Sequence, residues 1–468
     1  MSDISQLEDA EARHQRLAAL DRAHVWHPFT QMQTWLDPLP GDEPVIIDHA
    51  RGSWLFDTRG RKYLDAISSL WVNIHGHRRT EIDSAIKLQL EYVAHSTLLG
   101  LANPPSIELA AELIRLAPKA FDEPGLTKVF YSDSGSTSVE IAVKMAFQHW
   151  RLRGKPKKQK FVALAEAYHG DTIGAVSVGG MDLFHEIFQP LLFDCLRVPT
   201  PYVYRWPTGP KHCLTAAALA AETLIHGRRD EIAAVIIEPL VQGAAGMITH
   251  PKGYLKRIAK ACKDNGVLLI CDEVATGFGR TGTMFACEQE EVVPDFLCVA
   301  KGLTGGYLPL AATLTTGAIY ESFLGPFESK KTFFHGHSYT GNALACAAAI
   351  ASLKLFEEHQ TLSHVRQMAD RLAHGLLPLV EHPNVGDIRQ HGLMVGIELV
   401  KDRKTKEAFP YAARMGHKVA LAGRKRELML RPLGNVIVLM PPLSISPAEI
   451  DFLAEHVRES ITDALATA

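Results

Sequence analysis

The stretch Phe296-Leu297-Cys298-Val299-Ala300-Lys301, followed by the glycine-rich residues 302–306, decides the fold of this chain. Its apolar residues predict a buried strand that delivers the amine of Lys301 to one edge of a sheet. Apolar surroundings lower the pKa of an amine, and a neutral lysine can attack an aldehyde. A lone lysine after a strand is more often a surface residue, because its stem lets the charge reach water. Lys301 is therefore a candidate Schiff-base residue if neighbouring strands carry matching chemistry.

Two further apolar runs end in carboxylates. Residues 267–271 end at Asp272, and residues 234–237 end at Glu238. Open α/β sheets bind ligands outside the carboxyl ends of their strands. We therefore expect Glu238, Asp272 and Lys301 to lie at a common edge of the sheet.

The pattern around these strands predicts the fold class. From about residue 127 to about residue 299, apolar runs that end in turn residues alternate with helical periodicity. This alternation is typical of an α/β fold with a mostly parallel sheet covered by helices. Short antiparallel strands at 45–47 and 54–57, with mixed strands and a helix over 384–443, predict a small α+β domain built from both chain ends. The predicted division is 1–80 and 351–468 for the small domain and 81–350 for the large domain.

Composition excludes several classes of function. The chain has 468 residues and a formal net charge of −3, which gives no electrostatic case for nucleic acid. We interpret the basic cluster at 151–158 as a solvated loop. Seven cysteines without CxxC spacing are typical of a reduced compartment. The first residues contain charges and no apolar signal region, and the apolar stretch 343–353 is too short to cross a bilayer. We predict a soluble, cytoplasmic protein without a membrane partner.

A second site feature follows the predicted strand 129–131. The small residues Ser134, Gly135 and Ser136 precede a helical pattern, and Thr137 and Glu140 predict a capping box. Unpaired N–H groups and the helix dipole make such a helix start a cradle for phosphate. By itself the pattern is weak, because capped helices commonly occur without a ligand.

Two other patterns could indicate ligands, but their context argues against them. Residues 277–282 satisfy G-x-G-x-x-G, yet no amphipathic helix opens from the motif and no acidic residue closes a second strand, so a dinucleotide site is not expected. The His-Gly-His triplets at 75–77 and 335–337 lack a third ligand at suitable spacing. We interpret them as loop histidines and predict no metal.

The motifs together resemble the class III aminotransferases of fold type I along nearly the whole chain. The motifs that carry the resemblance are Ser134-Gly135-Ser136, Tyr168-His169-Gly170-Asp171, residues 272–282, Lys301-Gly302 and residues 336–342. The resemblance implies the pyridoxal 5′-phosphate (PLP) transferase fold, PLP as cofactor, and small-molecule amino donors and keto acids as substrates. It also implies a homodimer with shared active sites.

The resemblance assigns roles to individual residues. Lys301 would hold the cofactor as a Schiff base and carry the proton between carbons. Asp272 would keep the pyridine nitrogen protonated, and Tyr168 would stack on the ring. The implied cofactor-binding set is completed by Gly135 and Ser136 at the phosphate, by His169, and by Ser338, which would reach the phosphate of the partner subunit.

Within the family, four stretches resemble the 7,8-diaminononanoate synthases of biotin biosynthesis, which aminate 8-amino-7-oxononanoate. The stretches are residues 25–32, 68–76, 431–434 and 440–442. Arg431 matches the arginine that grips the carboxylate of this keto acid, a bidentate role that lysine cannot copy. Arg280 and Asp171 are candidates for shaping the site, with a surface or inter-loop salt bridge as the alternative. The remaining predicted substrate-binding residues are Phe29, Trp71 and Gly336.

The amino donor divides this subfamily. Most members use S-adenosylmethionine and usually have tyrosine and tryptophan at the positions of Phe29 and Leu70, while a smaller branch uses L-lysine. The two departures weaken a site for a bulky sulfonium, so the sequence favours L-lysine over S-adenosylmethionine. A broad-specificity ω-amine:pyruvate aminotransferase would share every cofactor residue and is the alternative enzyme. A non-enzymatic PLP-binding protein would need an extra DNA-binding domain or a lost catalytic residue, and the sequence has neither.

Overall fold

The computed structural model describes residues 9–38, 41–119 and 125–466. The prediction that the chain starts without a signal region rests largely on residues 1–8, which lie outside these ranges. The α-helices are α1 (Ala10–His24), α2 (Met32–Leu36), α3 (Ser68–Trp71), α4 (Thr80–Tyr92), α5 (Pro104–Leu116), α6 (Gly135–Leu152), α7 (Ile173–Val178), α8 (Asp182–His185), α9 (Pro210–Gly227), α10 (Tyr254–Asp264), α11 (Gly317–Ser322), α12 (Ala343–Glu358), α13 (Thr361–Leu376), α14 (Met415–Arg424) and α15 (Pro447–Ala466). Short 3₁₀ turns lie at Glu186–Leu191, Ala286–Glu290, Lys301–Thr304, Phe327–Ser329, Leu377–Glu381 and Tyr411–Ala413.

The strands are β1 (Ile47–Arg51), β2 (Trp54–Asp57), β3 (Lys62–Asp65), β4 (Leu126–Ser132), β5 (Lys160–Leu164), β6 (Cys195–Val198), β7 (Ile232–Ile237), β8 (Val241–Gln242), β9 (Ile248–Thr249), β10 (Leu268–Asp272), β11 (Phe296–Val299), β12 (Ala311–Thr316), β13 (Val385–His391), β14 (Met394–Asp402), β15 (Glu407–Ala408), β16 (Leu428–Met429), β17 (Arg431–Leu433) and β18 (Val436–Leu439).

The large sheet has the strand order β4-β12-β11-β10-β7-β5-β6. Strands β11, β10, β7, β5 and β6 pair in parallel, and β12 runs antiparallel to both β11 and β4. Strands β7, β10 and β11 are buried along their whole length, as expected for strands covered by helices on both faces. The predicted α/β fold with a mostly parallel sheet is confirmed.

The strand ends meet as predicted. Cys271 pairs with Ile237 across β10 and β7, and Asp272 pairs with Cys298 across β10 and β11. Glu238 directly follows β7, and Lys301 lies two residues after the end of β11. The two carboxylates and the amine therefore lie at one edge.

Both chain ends contribute to smaller sheets. Strand β3 pairs with β16, so residues near the start and near the end of the chain share the sheet β1-β2-β3-β16. The predicted antiparallel pair near residues 45–57 is present, with its first strand at Ile47–Arg51. A further sheet follows the order β13-β14-β18-β17. Helix α12 runs through the predicted boundary at residue 350, and the division into domains remains a prediction.

One interpretation of the surface is wrong. The basic cluster at 151–158 is not wholly a solvated loop, because Lys158 is buried. Its Nζ donates to the carbonyl oxygens of Ile232 at 3.1 Å and Gly266 at 2.9 Å, and lies 4.7 Å from the centroid of the Trp150 ring. Carbonyl oxygens and an aromatic face replace the water that this ammonium gives up.

All seven cysteines are free, and no helix among the described residues has the length and apolar character to cross a membrane.

Candidate active site

A cavity of about 400 Å³ lies at the carboxyl edge of the large sheet. Its wall combines segments that are distant in sequence, and several of them follow the end of a strand or begin a helix. The lining residues that bear on chemistry are Trp71, Ser134, Gly135, Ser136, Tyr168, His169, Glu238, Ala244, Asp272 and Lys301. The structure therefore brings together both predicted strand-end carboxylates, the lysine and the predicted phosphate cradle.

Lys301 places its amine inside this cavity. The residue lies two positions after the end of β11 and adopts a φ of 38°, a left-handed conformation that is unusual for a side chain with a Cβ. Burial lowers the pKa of the amine, and the negative charges of Asp272 and Glu238 offset part of that decrease. The Nζ atom lies 5.3 Å from the centroid of the Trp71 ring. A lysine with a lowered pKa in a cavity is suited to nucleophilic attack on an aldehyde.

Asp272 is fixed by two donors. His169 donates from Nδ1 to Oδ2 at 2.7 Å, and the backbone N–H of Val274 donates to Oδ1 at 3.0 Å. The His169 side chain is fully buried, and its Nε2 has no partner among the described residues. The carboxylate is thus oriented at the cavity floor, where it can pair with a cationic ring nitrogen.

Glu238 links two parts of the cavity wall. Its Oε1 accepts the backbone N–H of Tyr168 at 3.1 Å, and its Oε2 accepts the backbone N–H of Gly243 at 2.9 Å. Complete burial raises the pKa of this carboxyl to about 7, and the negative charge of Asp272 adds to the increase. The sequence predicted its position at the edge, but not this role as a double acceptor.

The start of α6 forms the predicted cradle. Ser134 is the N-cap residue, and it forms a capping box with Thr137. The predicted box between Thr137 and Glu140 is wrong, because the helix begins earlier and Glu140 instead accepts the N–H of Gly174 at 2.6 Å. The first N–H groups of a helix have no intrahelical acceptor, so they are free for an anion.

Gly135 is required by close packing at this helix start. A Cβ on Gly135 would lie 2.5 Å from Cγ1 of Val274, inside any normal contact distance. Ser136 contributes in a different way, because its Oγ accepts the N–H of Asp171 at 3.0 Å and so joins the cradle to the Tyr168 segment. The cradle is therefore held against the strand-end carboxylates.

Tyr168 lines the cavity through its ring. Its hydroxyl donates to Oδ2 of Asp171 at 2.8 Å, and burial raises the pKa of the phenol. The Phe184 ring packs edge-on against Tyr168, with centroids 6.3 Å apart, and against Phe29, with centroids 5.4 Å apart. Asp171 and Phe29 are exposed and are not lining residues, and they connect to the lining through Tyr168 and Phe184. No signal in the sequence identifies Phe184, because its contacts join segments that are distant in the chain.

Trp71 lies on a distorted segment of the wall. Ser69 and Trp71 have positive φ angles of 62° and 67°, and Leu70 is exposed. Arg280 supports this segment from behind, donating to the carbonyl oxygens of Asn73 at 2.7 Å and Pro441 at 2.6 Å. The alternative of a surface salt bridge for Arg280 is wrong, because its side chain is fully buried among backbone carbonyls.

Besides Phe29, Asp171 and Arg280, three further predicted site residues lie outside the cavity lining in the described chain. Arg431 is exposed on β17, where it pairs with Val438, and Gly336 and Ser338 are exposed after a turn-rich stretch. The carbonyl oxygen of Ser338 accepts a hydrogen bond from Nε2 of His95 at 2.7 Å. A single chain does not bring these residues to its own cavity.

The histidine triplets show no metal geometry. The described residues contain no group of three or more His, Cys, Asp or Glu side chains placed to hold an ion. His75 is buried and bonds through Nε2 to the carbonyl oxygen of Ser352 at 2.9 Å, and burial lowers its pKa to about 3.

Comparisons with known proteins agree with this geometry. The family model "Aminotransferase class-III" matches residues 39–461. The adenosylmethionine-8-amino-7-oxononanoate aminotransferase of Nitratidesulfovibrio vulgaris is 56% identical over 456 residues, which are 97% of this chain and 82% of that protein. The crystal structure of the adenosylmethionine-8-amino-7-oxononanoate aminotransferase from Methanocaldococcus jannaschii has 47% identity and a TM-score of 0.90, over 96% of this chain and 99% of that chain. An amine transaminase from an uncultivated Pseudomonas species, solved in the PLP-bound form, has 34% identity and a TM-score of 0.88, over 94% of this chain and 98% of that chain.

Proposed function

The chain belongs to the class III aminotransferases and is a PLP-dependent enzyme, and we propose that it aminates 8-amino-7-oxononanoate to 7,8-diaminononanoate in biotin biosynthesis. The observation that carries the proposal is the 56% and 47% identity, over nearly the whole chain, to two proteins named for this keto acid. The amine transaminase is less similar, at 34% identity.

The residues of the cavity fit PLP. Gly135 and Ser136 offer the N–H groups at the start of α6 to the phosphate. Asp272, held by His169, carries the negative charge that keeps a pyridine nitrogen protonated. When bound, PLP supplies an aldehyde that accepts amino groups and a ring that takes up electrons from the substrate carbon.

Lys301 has two tasks in this proposal. Its amine would hold the aldehyde of the cofactor, and its Nζ, once free, would take up and return the proton of the substrate carbon. Burial lowers the pKa of Lys301, which favours the neutral form of the amine that both tasks require. Tyr168 is proposed to stack on the cofactor ring, with its position fixed by Asp171 and Glu238.

Arg431 is proposed to bind the carboxylate of the keto acid. Among the described residues, the guanidinium of Arg431 has no ion pair. It can therefore form two hydrogen bonds to a substrate carboxylate without breaking an existing ion pair. Arg431 lies on β17 and is not among the residues that line the cavity of Lys301. This position supports a keto acid whose carboxylate and carbonyl lie at different points of a long chain.

The amino donor is proposed to be S-adenosylmethionine, because both relatives of 47% or more identity described above carry it in their names. L-lysine remains the alternative, predicted from Phe29 and Leu70. Phe29 contacts the cavity wall through Phe184, and its ring is mostly exposed, so this position can face a donor.

We propose a homodimer in which each active site contains residues of both subunits. The position of residues 336–338 supports this proposal. Ser338 and Gly336 are exposed and lie outside the chain's own cavity, where a partner subunit's phosphate could meet the Ser338 hydroxyl. Size measurement of the holoenzyme in solution tests this part of the proposal, and a monomer with full activity would refute it.

The function is tested by turnover of purified holoenzyme with 8-amino-7-oxononanoate and either S-adenosylmethionine or L-lysine. Formation of 7,8-diaminononanoate, followed by mass spectrometry, supports the proposal, and the donor that sustains it identifies the branch. If pyruvate with simple amines reacts and the keto acid does not, the ω-amine alternative replaces the proposal.

A further inference from the structure

A hairpin turn at residues 243–247 forms part of the cavity wall. Strands β8 and β9 pair antiparallel, and the turn between them carries Ala244 into the cavity lining. On the inner side of the turn, Gly243 packs closely against Trp71. A Cβ added to Gly243 would lie 3.3 Å from Cζ3 of the Trp71 indole. The position of this turn therefore sets both the wall at Ala244 and the packing of Trp71.

Arg389 holds the outer side of this turn. The residue lies on β13 opposite Gly396 of β14 and is 5% exposed. Its Nε and Nη2 donate to the carbonyl oxygen of Gly246 at 2.8 and 2.6 Å. Only a planar guanidinium places two donors on one oxygen in this fixed way, because a lysine amine has no fork.

Acidic residues fix Arg389 from the opposite side. Its Nη1 donates to Oε2 of Glu398 at 2.7 Å and to Oδ2 of Asp387 at 3.1 Å, and its guanidinium carbon lies 5.1 Å from the centroid of the Tyr202 ring. Burial alone would raise the pKa of Glu398, but Arg389, Tyr202 and Arg205 outweigh it and hold the pKa below its ordinary value. Arg389 therefore faces a charged partner and has little freedom to turn.

The contact with the turn leaves no spare room. A Cβ on Gly396 would lie 2.7 Å from the carbonyl oxygen of Gly246, and a Cβ on Gly246 would lie 3.2 Å from Nη2 of Arg389. The strand, the guanidinium and the turn are thus packed directly on one another. A shift of Arg389 cannot be absorbed by a gap, so it is transmitted to the turn.

We propose that Arg389 is a positioning residue for substrate binding, because it holds the turn 243–247 against Trp71 through the carbonyl of Gly246. The inference deepens the proposed function and rests on it for the identity of the substrate. None of the described contacts of Arg389 involves Lys301 or Asp272. Arg389 therefore reaches the cavity only through the turn, which contacts Trp71 and, through the N–H of Gly243, Glu238.

The test replaces Arg389 by lysine, which keeps the charge but removes the fork. In Arg389→Lys we expect the KM for 8-amino-7-oxononanoate to rise about tenfold, as for the loss of one charged hydrogen bond. The kcat, the cofactor absorbance and the affinity for PLP should stay close to those of the wild type. Amide hydrogen exchange in residues 239–249 of the holoenzyme should become faster.

Arg205→Lys is the matched control. Arg205 also donates to Glu398, from Nε to Oε1 at 2.7 Å, but the contacts described for it do not include the turn. It should keep the wild-type KM and the wild-type exchange in residues 239–249. Equal changes in both variants, or a stability loss in Arg389→Lys without a change in KM or exchange, would overturn the inference. If the wild type does not aminate the keto acid, the proposed function fails, and exchange together with the KM for pyruvate still decides the role of Arg389.

Discussion

Replacing Glu238 by glutamine should change how the stability of the protein depends on pH. The wild-type carboxyl is fully buried, and its pKa is raised from 4.5 to about 7. The folded state therefore favours the protonated form. The stability that this preference contributes is fully present below the unfolded pKa and is lost as pH rises through the folded pKa.

The size of the effect follows from the same shift. Between about pH 5.5 and about pH 8.5, linkage gives a loss of about 2 kcal/mol from this single group. Glutamine does not titrate, so the Glu238→Gln variant lacks this loss. The variant also has only one side-chain acceptor for the N–H groups of Tyr168 and Gly243, and the unmatched donor makes it less stable than the wild type at acidic pH.

The assay is urea unfolding of both proteins at the two pH values with saturating PLP. We expect the difference in unfolding free energy between wild type and variant to shrink by about 2 kcal/mol from the acidic to the alkaline pH. The exposed Glu108 provides the control, since Glu108→Gln should leave the difference unchanged. A difference that stays constant or grows with pH would refute the reasoning, because it would mean that the two N–H donors outweigh burial and keep Glu238 ionised.

Three further substitutions test the site. Lys301→Ala should abolish both half-reactions and the absorbance of lysine-bound cofactor, and turnover within a few fold of wild type would remove Lys301 from its proposed role. Gly135→Ala should weaken PLP binding about tenfold in a cofactor titration, because overpacking against Val274 displaces the start of α6. Its control is Gly125→Ala, where a Cβ meets nothing within 4 Å, and equal affinities in the two variants would contradict the packing argument. Arg431→Lys should raise the KM for the keto acid at least about tenfold while leaving that for the donor unchanged, and equal effects on both would mean that Arg431 does not bind the carboxylate.

The part of the fold that positions the chemistry could be predicted from local pattern. Apolar runs that end in Glu238, Asp272 and Lys301 are short-range signals. Because open α/β sheets bind ligands outside the carboxyl ends of their strands, these signals predict that the three residues lie at one edge of the sheet. A helix start after the strand at 129–131 was also predictable, although its cap was predicted at Thr137 and lies at Ser134. Glu140 was misassigned because its acceptor role depends on Gly174, which only the folded chain brings near.

The contacts that complete the wall could not be predicted in this way. The bond from Arg389 to Gly246 joins residues 143 positions apart, and the bonds of Arg280 to backbone carbonyls span similar or greater distances. Every residue has a backbone carbonyl, so the amino-acid sequence does not indicate which carbonyl a given side chain will bind. Lys158 was misread for the same reason, since its partners are carbonyl oxygens.

The acceptor half-reaction tests the central claim most directly. The pyridoxamine form of the holoenzyme, freed of donor, is mixed with 8-amino-7-oxononanoate while the absorbance of lysine-bound cofactor is followed. Return of that absorbance with formation of 7,8-diaminononanoate is the predicted result. No return with the keto acid, together with full return on adding pyruvate, would contradict the proposed substrate while leaving an active aminotransferase.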